Sequence, residues 1–528
     1  MRSLKILLLN ILIINIYQLG YCQNKVPEIT SPSPNASGLG VYGEVPVSFF
    51  TGIPNIEVPL YTLKEGNLTL PVSLSYYASG IKPDQHPGWV GLNWSLNAGG
   101  IITRITHDLP DEYNCPNTTL KRHYSSLPEF NAINNYFDTG VKGENAGYYF
   151  NHSVNSTDQW SSASNIVNLV NNQGDAKDTE PDEFSFNFCG YSGKFYLTDA
   201  GTWAVQSDQN VKVIFDPDNF VYLPASLTVS KEKHYQANCL RRGDNMKSFG
   251  GFTIITDSGV RYVFGTQEIE NKTNSIEYSI PFFQQLSEQW VATSWYLTKI
   301  ISPNGEIIRL TYEPDDYISN MYIYFLWNEA YYYNGNNRIL SGGYGNQYAF
   351  GQNEWTADWI NPRYASYLGN LIRPTYLTKI EGTNVSIDFV RTNSDELKYS
   401  NDIYIKNKDI QKMIISQTLP SQICHSTDQS PEYNVFWPFL YDIVQSTDDA
   451  TLLTALKWKK LDSIKISDKS NSSLGWIYTL NFNNTASERL KLDYISKKSI
   501  DNAINQAYYY RFGYYDDPNI SIPNYLEE

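Results

Sequence analysis

Apolar residues at every second position, punctuated by turn-formers, recur along most of this 528-residue chain. Phe184, Phe186 and Phe188 alternate with polar residues, Gly190-Tyr191-Ser192-Gly193 offers a turn, and Lys194 to Leu197 returns. Phe252 to Thr256, Asp257-Ser258-Gly259 and Val260 to Phe264 repeat the plan. Tyr296-Leu297-Thr298-Lys299-Ile300 leads through Pro303-Asn304-Gly305 into Ile307 to Tyr312. The same five letters return at Tyr376-Leu377-Thr378-Lys379-Ile380 before Val385 to Phe389, and more loosely at Leu461 to Ile466 before Trp476 to Phe482. A period of two is the signature of a strand with one buried face. The spacing of about 80 residues, in so few copies, argues against a regular solenoid or propeller. The expectation is an all-β protein: serial β-hairpins and meanders forming sandwich- or shell-like sheets, with few short helices. The stretch 164–172 (SNIVNLVNN) is the candidate for one.

The first hairpin is the clearest. Ile56, Val58 and Leu60 alternate, as do Leu68, Leu70, Val72, Leu74 and Tyr76, and Lys64-Glu65-Gly66 fits a three-residue loop. That loop sets Val58 against Val72, Ile56 against Leu74 and Pro59 against Pro71. Two prolines that cannot donate ladder bonds predict a two-stranded ribbon with little pairing on its outer sides. From Tyr76 to Arg104, glycines punctuate a stretch whose Trp89, Trp94 and Leu96 demand a core. Periodicity then fades. The expected organisation is a leader at 1–22, an N-terminal β module at 23–113, a polar Asn/Ser-rich surface insertion at 114–182, a hairpin region at 183–316, a Tyr/Trp/Gly-rich insertion at 317–368 and a C-terminal hairpin region at 369–528.

Residues 1–22 combine Arg2 and Lys5 with an apolar run from Ile6 to Ile16, then Gly20 and Cys22 at small-residue positions. This is the pattern of a signal peptide cleaved before Gln23. The run is too short for a membrane span, and no later segment supplies one. Bulky Tyr21 argues against lipidation of Cys22. The exported chain would lie outside the cell or on its surface, and outer-membrane association stays open. Cys115, Cys189, Cys239 and Cys424 then allow three full pairings, and spacing favours none. The six histidines are scattered, and neither His234 with Cys239 nor Cys424 with His425 has structural-zinc spacing. With 40 basic against 55 acidic residues the net charge is −15, which opposes nucleic acid binding.

The segment from Gly43 to Arg104 carries a more specific pattern. Leu70-Pro71-Val72-Ser73-Leu74-Ser75-Tyr76 and Asn93-Trp94-Ser95-Leu96-Asn97 resemble the LPLSLSY and GWSLN blocks of the N-terminal region of secreted Rhs/YD-repeat proteins of the Bacteroidetes type. Asn93 stands where that family usually has Gly, and Asn is the next-best tenant of a left-handed position. Phe184 to Phe195, Phe252 to Gly265, Tyr296 to Gly305, Ser487 to Leu492 and Tyr509 to Pro518 extend the likeness over most of the chain, sparing 114–182 and 317–368. The resemblance implies a region that caps a hollow β shell wound from YD repeats, often followed by a variable toxin. This sequence reaches Glu528 before any such repeats, and Tyr441-Asp442 is its lone YD pair.

No GxSxG elbow, HExxH or P-loop is present, and Gly38 to Gly43 matches GxGxxG without the strand and helix that motif needs. Asp216-Pro217-Asp218, Glu313-Pro314-Asp315-Asp316 and Asp516-Asp517-Pro518 could offer carboxylate pairs, but the prolines beside them read as solvated turns. No catalytic, cofactor-binding or metal residue is assigned, and the chain is expected not to be an enzyme. Two functions remain. The first is a structural or delivery component, polymorphic-toxin-like, whose partner is a YD-repeat polypeptide or a second copy. It would bind through apolar strand surface at the hairpin ending in Tyr76 and around Tyr508-Tyr509-Tyr510. The second is a carbohydrate-binding or carbohydrate-processing surface protein, with glycans stacked on aromatic residues such as Trp355 and Trp359. N-terminal sequencing of the exported protein should begin at Gln23; an intact Met1 would contradict the leader.

Overall fold

The computed structural model describes residues 55–77, 85–107, 110–112, 180–198, 201–215, 219–222, 224, 247–266, 273–281, 290–325, 330–334, 337–341, 347–350, 365–395, 458–485, 489–501 and 507–514. The leader, the 164–172 helix candidate, the GxGxxG match, Asp216 to Asp218, Asp516 to Pro518, Trp355, Trp359 and every cysteine but Cys189 lie outside them. The described residues are all-β, with antiparallel ladders and no helix. The strands run β1 (Asn55–Glu65), β2 (Leu68–Tyr77), β3 (Trp94–Asn97), β4 (Gly100–Ile105), β5 (Glu183–Phe188), β6 (Tyr191–Leu197), β7 (Trp203–Gln206) and β8 (Val211–Ile214). Next come β9 (Phe220–Tyr222), β10 (Lys247–Phe249), β11 (Gly251–Thr256), β12 (Arg261–Gly265), β13 (Ile276–Pro281), β14 (Val291–Ile301) and β15 (Ile307–Pro314). The Tyr-rich stretch contributes β16 (Ile318–Phe325), β17 (Ala330–Asn334), β18 (Asn337–Ser341), β19 (Gln347–Phe350) and β20 (Ala365–Arg373). The series ends with β21 (Thr375–Glu381), β22 (Val385–Asn393), β23 (Lys459–Asp468), β24 (Gly475–Asn483), β25 (Lys491–Ser499) and β26 (Tyr508–Arg511).

Eighteen of these strands form one closed system, and its ladders branch at β14. The first half of β14 pairs with β13 and β4, extending on one side to β20 and β16 and on the other to β5, β6 and β7. Its second half pairs with β12 and β15. From β15 a meander runs through β21, β22, β23, β24, β25 and β26. A strand shared by two sheets is covered on both faces, and every residue from Val291 to Thr298 is buried. The β7–β8 turn returns the chain to β11 and β12, so a ring of neighbours closes on β14 around aromatic rings. There Phe184 stacks on Phe195 at 5.1 Å and meets Trp203, Phe252 and Trp295 edge-on or tilted, while the Trp295 indole donates to the Phe249 carbonyl at 2.8 Å.

The recurring sequence motif has a structural meaning. In β14, Leu297 and Ile300 are both buried although three residues apart, a spacing that strict alternation would send to opposite faces. The ladder shifts there: Val263 pairs with Lys299 and Phe264 with Leu297, so Thr298 is an inserted bulge residue whose hydroxyl donates to Val263 O at 3.0 Å. Thr378 occupies the same place in β21, between buried Leu377 and Ile380, and donates to Thr311 O at 3.1 Å. Asp462 is the extra residue in β23, between Leu461 and Ile464. A fourth instance, which alternation alone did not disclose, is Asp493 in β25, between Leu492 and Ile495. These four strands point the same way, since each alternates with an antiparallel neighbour, so the bulges form a row across the sheet.

The N-terminal hairpin corrects two expectations. Its turn is the two-residue Gly66-Asn67, with Gly66 at φ 55° and Glu65 paired to Leu68, rather than a three-residue loop. A bulge at Leu60 shifts the ladder again, so Val58 faces Leu74, Ile56 faces Tyr76, Pro59 faces Ser73 and Pro71 faces Thr62. The prolines therefore do not oppose one another. The ribbon is also not two-stranded, because β3 pairs with residues 73–76 of β2, beyond Pro71. Asn93 does take the left-handed conformation, at φ 61°. In the next hairpin the turn is Cys189-Gly190, both at positive φ, rather than Gly190 to Gly193.

The three-stranded sheet β1–β2–β3 lies across the meander as a cover. Tyr478 donates to the carbonyl of the bulge residue Leu60 at 2.6 Å, and the amide of Leu461 donates to Trp89 O at 2.7 Å. Glu65 accepts from both the amide and the hydroxyl of Thr383, each at 2.6 Å, which holds its carboxyl below the usual carboxylate range. Tyr76 packs against Trp94 and Tyr514 at 5.1 and 5.9 Å and is half-buried. Deleting Thr378 should swing one end of β21 to the wrong face and cost about 2–5 kcal/mol, the range for losing a buried Leu or Ile. Thr378→Ser keeps the bulge and its hydroxyl and should stay within about 0.5 kcal/mol of wild type. Urea denaturation of the two variants checks this.

Candidate functional site

The meander ends on a strand with one free side. β26 pairs with β25 from Lys497↔Tyr508 to Tyr494↔Arg511, and among the described residues no ladder forms on its other side. Such an edge is a template for another strand. Tyr508, Tyr509 and Tyr510 are 52%, 52% and 39% exposed, a cluster of large apolar rings at the surface. Register places Tyr508 in one row with Lys497, Tyr478, Ile464 and Phe389, and Tyr510 in one row with Ile495 and Leu480. The face that the cover sheet buries further in thus emerges uncovered at β26. The opposite face carries Tyr509 and Tyr494 at 6.0 Å, with the Arg511 guanidinium over both rings. Lys497 lies over Trp476 and Tyr478 at 4.4 and 5.2 Å. β25 and β26 together carry Lys491, Lys497, Lys498 and Arg511 against Asp493 alone, a cationic edge on a chain of net charge −15.

Residues just beyond β26 fasten the cover. Phe512 packs on Trp94 at 4.5 Å, the Trp94 indole donates to the Tyr514 hydroxyl at 2.8 Å, and that hydroxyl donates to Leu492 O at 2.6 Å. The Asn93-Trp94 block and the segment from Tyr509 onward, which the sequence offers as separate matches, therefore meet in space.

A second constellation lies inside the aromatic ring, and sequence reasoning did not find it. The buried Arg104 side chain donates from Nε to Ala292 O at 2.9 Å and from Nη1 to Glu112 Oε2 at 2.6 Å, with Asp182 Oδ2 farther off at 3.4 Å. Its guanidinium sits over the rings of Trp295 and Phe184 at 5.2 and 5.6 Å. Glu112 Oε1 accepts from Ser248 at 2.9 Å. Asp182 and Asp111 bond reciprocally, each backbone N–H donating to the other's carboxylate at 3.0 and 3.1 Å, and Asp182 Oδ1 also accepts from the amide of His107. Asp182 closes the acidic run that reads as surface insertion, yet it is wholly buried. Burial, with the Glu112 charge adding to it against the opposing pull of Arg104, raises its carboxyl to about 7. The sequence signal was Arg104 itself, a charge on the inward face two residues from Ile102.

Other candidates reduce to structure. Asp315, expected in a solvated turn, is largely buried and binds Arg391 at 2.8 Å and Lys459 at 3.3 Å. A cavity of about 30 Å³ among Trp89, Leu96, Tyr296, Tyr312 and Tyr376 holds roughly one water, far below ligand size. Burial pushes the Cys189 thiol up to about 12, which opposes formation of the thiolate. No group of three metal-ligating side chains occurs among the described residues, and no helix there is long and apolar enough to cross a membrane.

No known family's sequence profile matches the chain, and no curated protein matches it in sequence. Among solved structures it is similar to a mutant pore form of the Photorhabdus luminescens Tc holotoxin, at 10% identity and a TM-score of 0.27, and to TcdB2-TccC3-TEV, at 11% and 0.28. Each alignment covers 84% of this chain and 15% of the other, so the chain spans about a seventh of the Tc polypeptides it matches. The N-terminal domain of effector protein SpvB from Salmonella typhimurium strain LT2 aligns over 87% of this chain and 99% of its own length, at 9% identity and a TM-score of 0.26.

Replacing Tyr508 and Tyr510 together by Ser should leave the unfolding midpoint nearly unchanged, since exposed side chains shift stability by about 0.5 kcal/mol or less. The same double variant should bind less of an apolar fluorescent dye than wild type.

Proposed function

We propose that this chain is a non-catalytic structural component: the front, shell-capping part of an exported or cell-surface assembly of the Rhs/YD-repeat kind. The β26 edge, unpaired among the described residues, is the observation that carries this reading. A sheet whose lining face runs uncovered to its last strand is built to be continued, and strand addition supplies main-chain hydrogen bonds while side-chain rows supply specificity. The occupant that fits is an extended segment of another polypeptide, contributing apolar residues against Tyr508 and Tyr510. Its carboxylates would face Lys497 and Lys498 on β25 and Arg511 on β26. A second copy of this chain would bring the same cations together, so a different polypeptide is the better match. The sequence resemblance supports the reading from an independent side, since members of that family continue into repeats that wind such a shell.

Sedimentation of purified 23–528 at micromolar concentration, alone and after co-expression with polypeptides encoded beside it, tests the proposal. The expected result is a complex with an acidic β-rich partner that Tyr508→Ser with Tyr510→Ser disrupts. A compact monomer that binds no apolar dye and captures nothing would overturn it.

A further inference from the structure

The direction of the main-chain groups along β26 follows from one hydrogen bond. The Phe512 amide donates to Asp493 O at 2.9 Å, so it points toward β25. These groups alternate along an antiparallel strand, which turns the amides of Tyr508 and Tyr510 toward β25 and those of Tyr509 and Arg511 away from it. Among the described residues no strand receives those two. The sequence just beyond, Tyr515 to Glu528, carries Asp516, Asp517, Glu527 and Glu528 and neither Lys nor Arg. It adjoins an edge that exposes Lys498 and Arg511. Within it Asn519-Ile520-Ser521-Ile522 alternates polar and apolar residues between Pro518 and Pro523, and β26 has the same length of four residues.

We propose that residues 515–528 form a strap whose strand 519–522 covers the β26 edge, and that a partner strand gains this edge by displacing it. The strap deepens the strand-addition reading above and rests on it. Phe512 packs on Trp94 and Tyr514 bonds to it, so the chain reverses within 515–518, where Asp517-Pro518 is turn chemistry. Five residues from Tyr514 to Asn519 reach about 17 Å, more than the return of about 10 Å to the level of Arg511. With Asn519 across from Arg511, Ser521 faces Tyr509, Ile520 faces Tyr510 and Ile522 faces Tyr508. The outward amides of Tyr509 and Arg511 then meet the carbonyls of Ser521 and Asn519, and both isoleucines extend the lining-face rows. A slip of one residue sends them to the other face. Pro523 arrives opposite Ala507, where the ladder next needs an N–H, so pairing stops where β26 begins. Asp516 and Asp517 fall in the turn beside Arg511, and Glu527 and Glu528 follow Pro523 toward Lys498. Tethered through so short a connection, the strap meets β26 at an effective concentration on the order of millimolar. It keeps the edge from nonspecific pairing until a partner strand replaces it.

Hydrogen exchange resolved to single amides, on the full chain and on a variant lacking 515–528, tests the strap. The amides of Tyr509 and Arg511 should exchange about 10-fold more slowly in the full chain. Those of Tyr510 and Phe512, which face β25, should be alike in both and report that β26 stays docked. Ser521→Pro, which removes the N–H aimed at Tyr509 O, should release Tyr509 and Arg511 as the deletion does. Equal exchange of these two amides in the full chain and the deletion overturns the strap. So does protection that arises only at concentrations where sedimentation shows a dimer, since the segment would then lie on a second copy. The strand-addition reading fails separately: it falls if neither form captures a polypeptide, whereas slow exchange at Tyr509 and Arg511 still places 519–522 on the edge.

Discussion

An antiparallel sheet with strict alternation twists but has no reason to crease along a line. Here one residue too many in each of β14, β21, β23 and β25, along an oblique row that steps about two residues from one of these strands to the next, supplies that reason. Each bulge lets a Leu and an Ile three residues apart share the lining face, and each bends its strand locally. Two of the inserted residues are threonines whose hydroxyls satisfy the partner-strand carbonyl beside the irregularity. In β14 a second inserted threonine, Thr293, lies near the branch and points its hydroxyl at Glu277 O from 3.4 Å. Strands that change sheets do so at such irregularities. The bend of the meander and the branching of the two sheets therefore use one local device.

The cover sheet depends on the same device. The bulge at Leu60 takes a carbonyl out of the β1–β2 ladder, and that carbonyl receives the Tyr478 hydroxyl. Phe512 and Tyr514 close over Trp94 from the other end of the chain. Beyond this clasp the lining face is left to Tyr508 and Tyr510, and covered core passes into open edge within about two strands.

Much of this architecture was legible in the residues. Alternation located the main hairpins, and the repeated Tyr-Leu-Thr-Lys-Ile marked two of the creases before their geometry was known. What escaped has physical causes. Register depends on a turn one residue shorter than Lys64-Glu65-Gly66 suggested, and a bulge is invisible to a period-two count unless buried residues are already known. Thus nothing in Leu492-Asp493-Tyr494-Ile495 marks the bulge at Asp493. The Arg104 cluster was hidden more deeply, because its partners Glu112 and Asp182 lie 8 and 78 residues away and only the fold brings them together. The contact of Tyr76 with Tyr514 was hidden for the same reason, since the two lie at opposite ends of the described chain.

The β4–β5 pairing runs unbroken from Gly100↔Phe188 to Ile105↔Glu183, and Asp111 and Asp182 meet immediately beside it. The chain thus leaves and re-enters the ring at adjoining points, with the register of both strands fixed independently of how much sequence lies between them. Closing a flexible loop between two such fixed points costs an entropy that grows only slowly with its length. The ring is in this sense a socket: a segment of any length that leaves and returns at these two points keeps every strand pairing in place, so long as the two aspartates and Arg104 still meet.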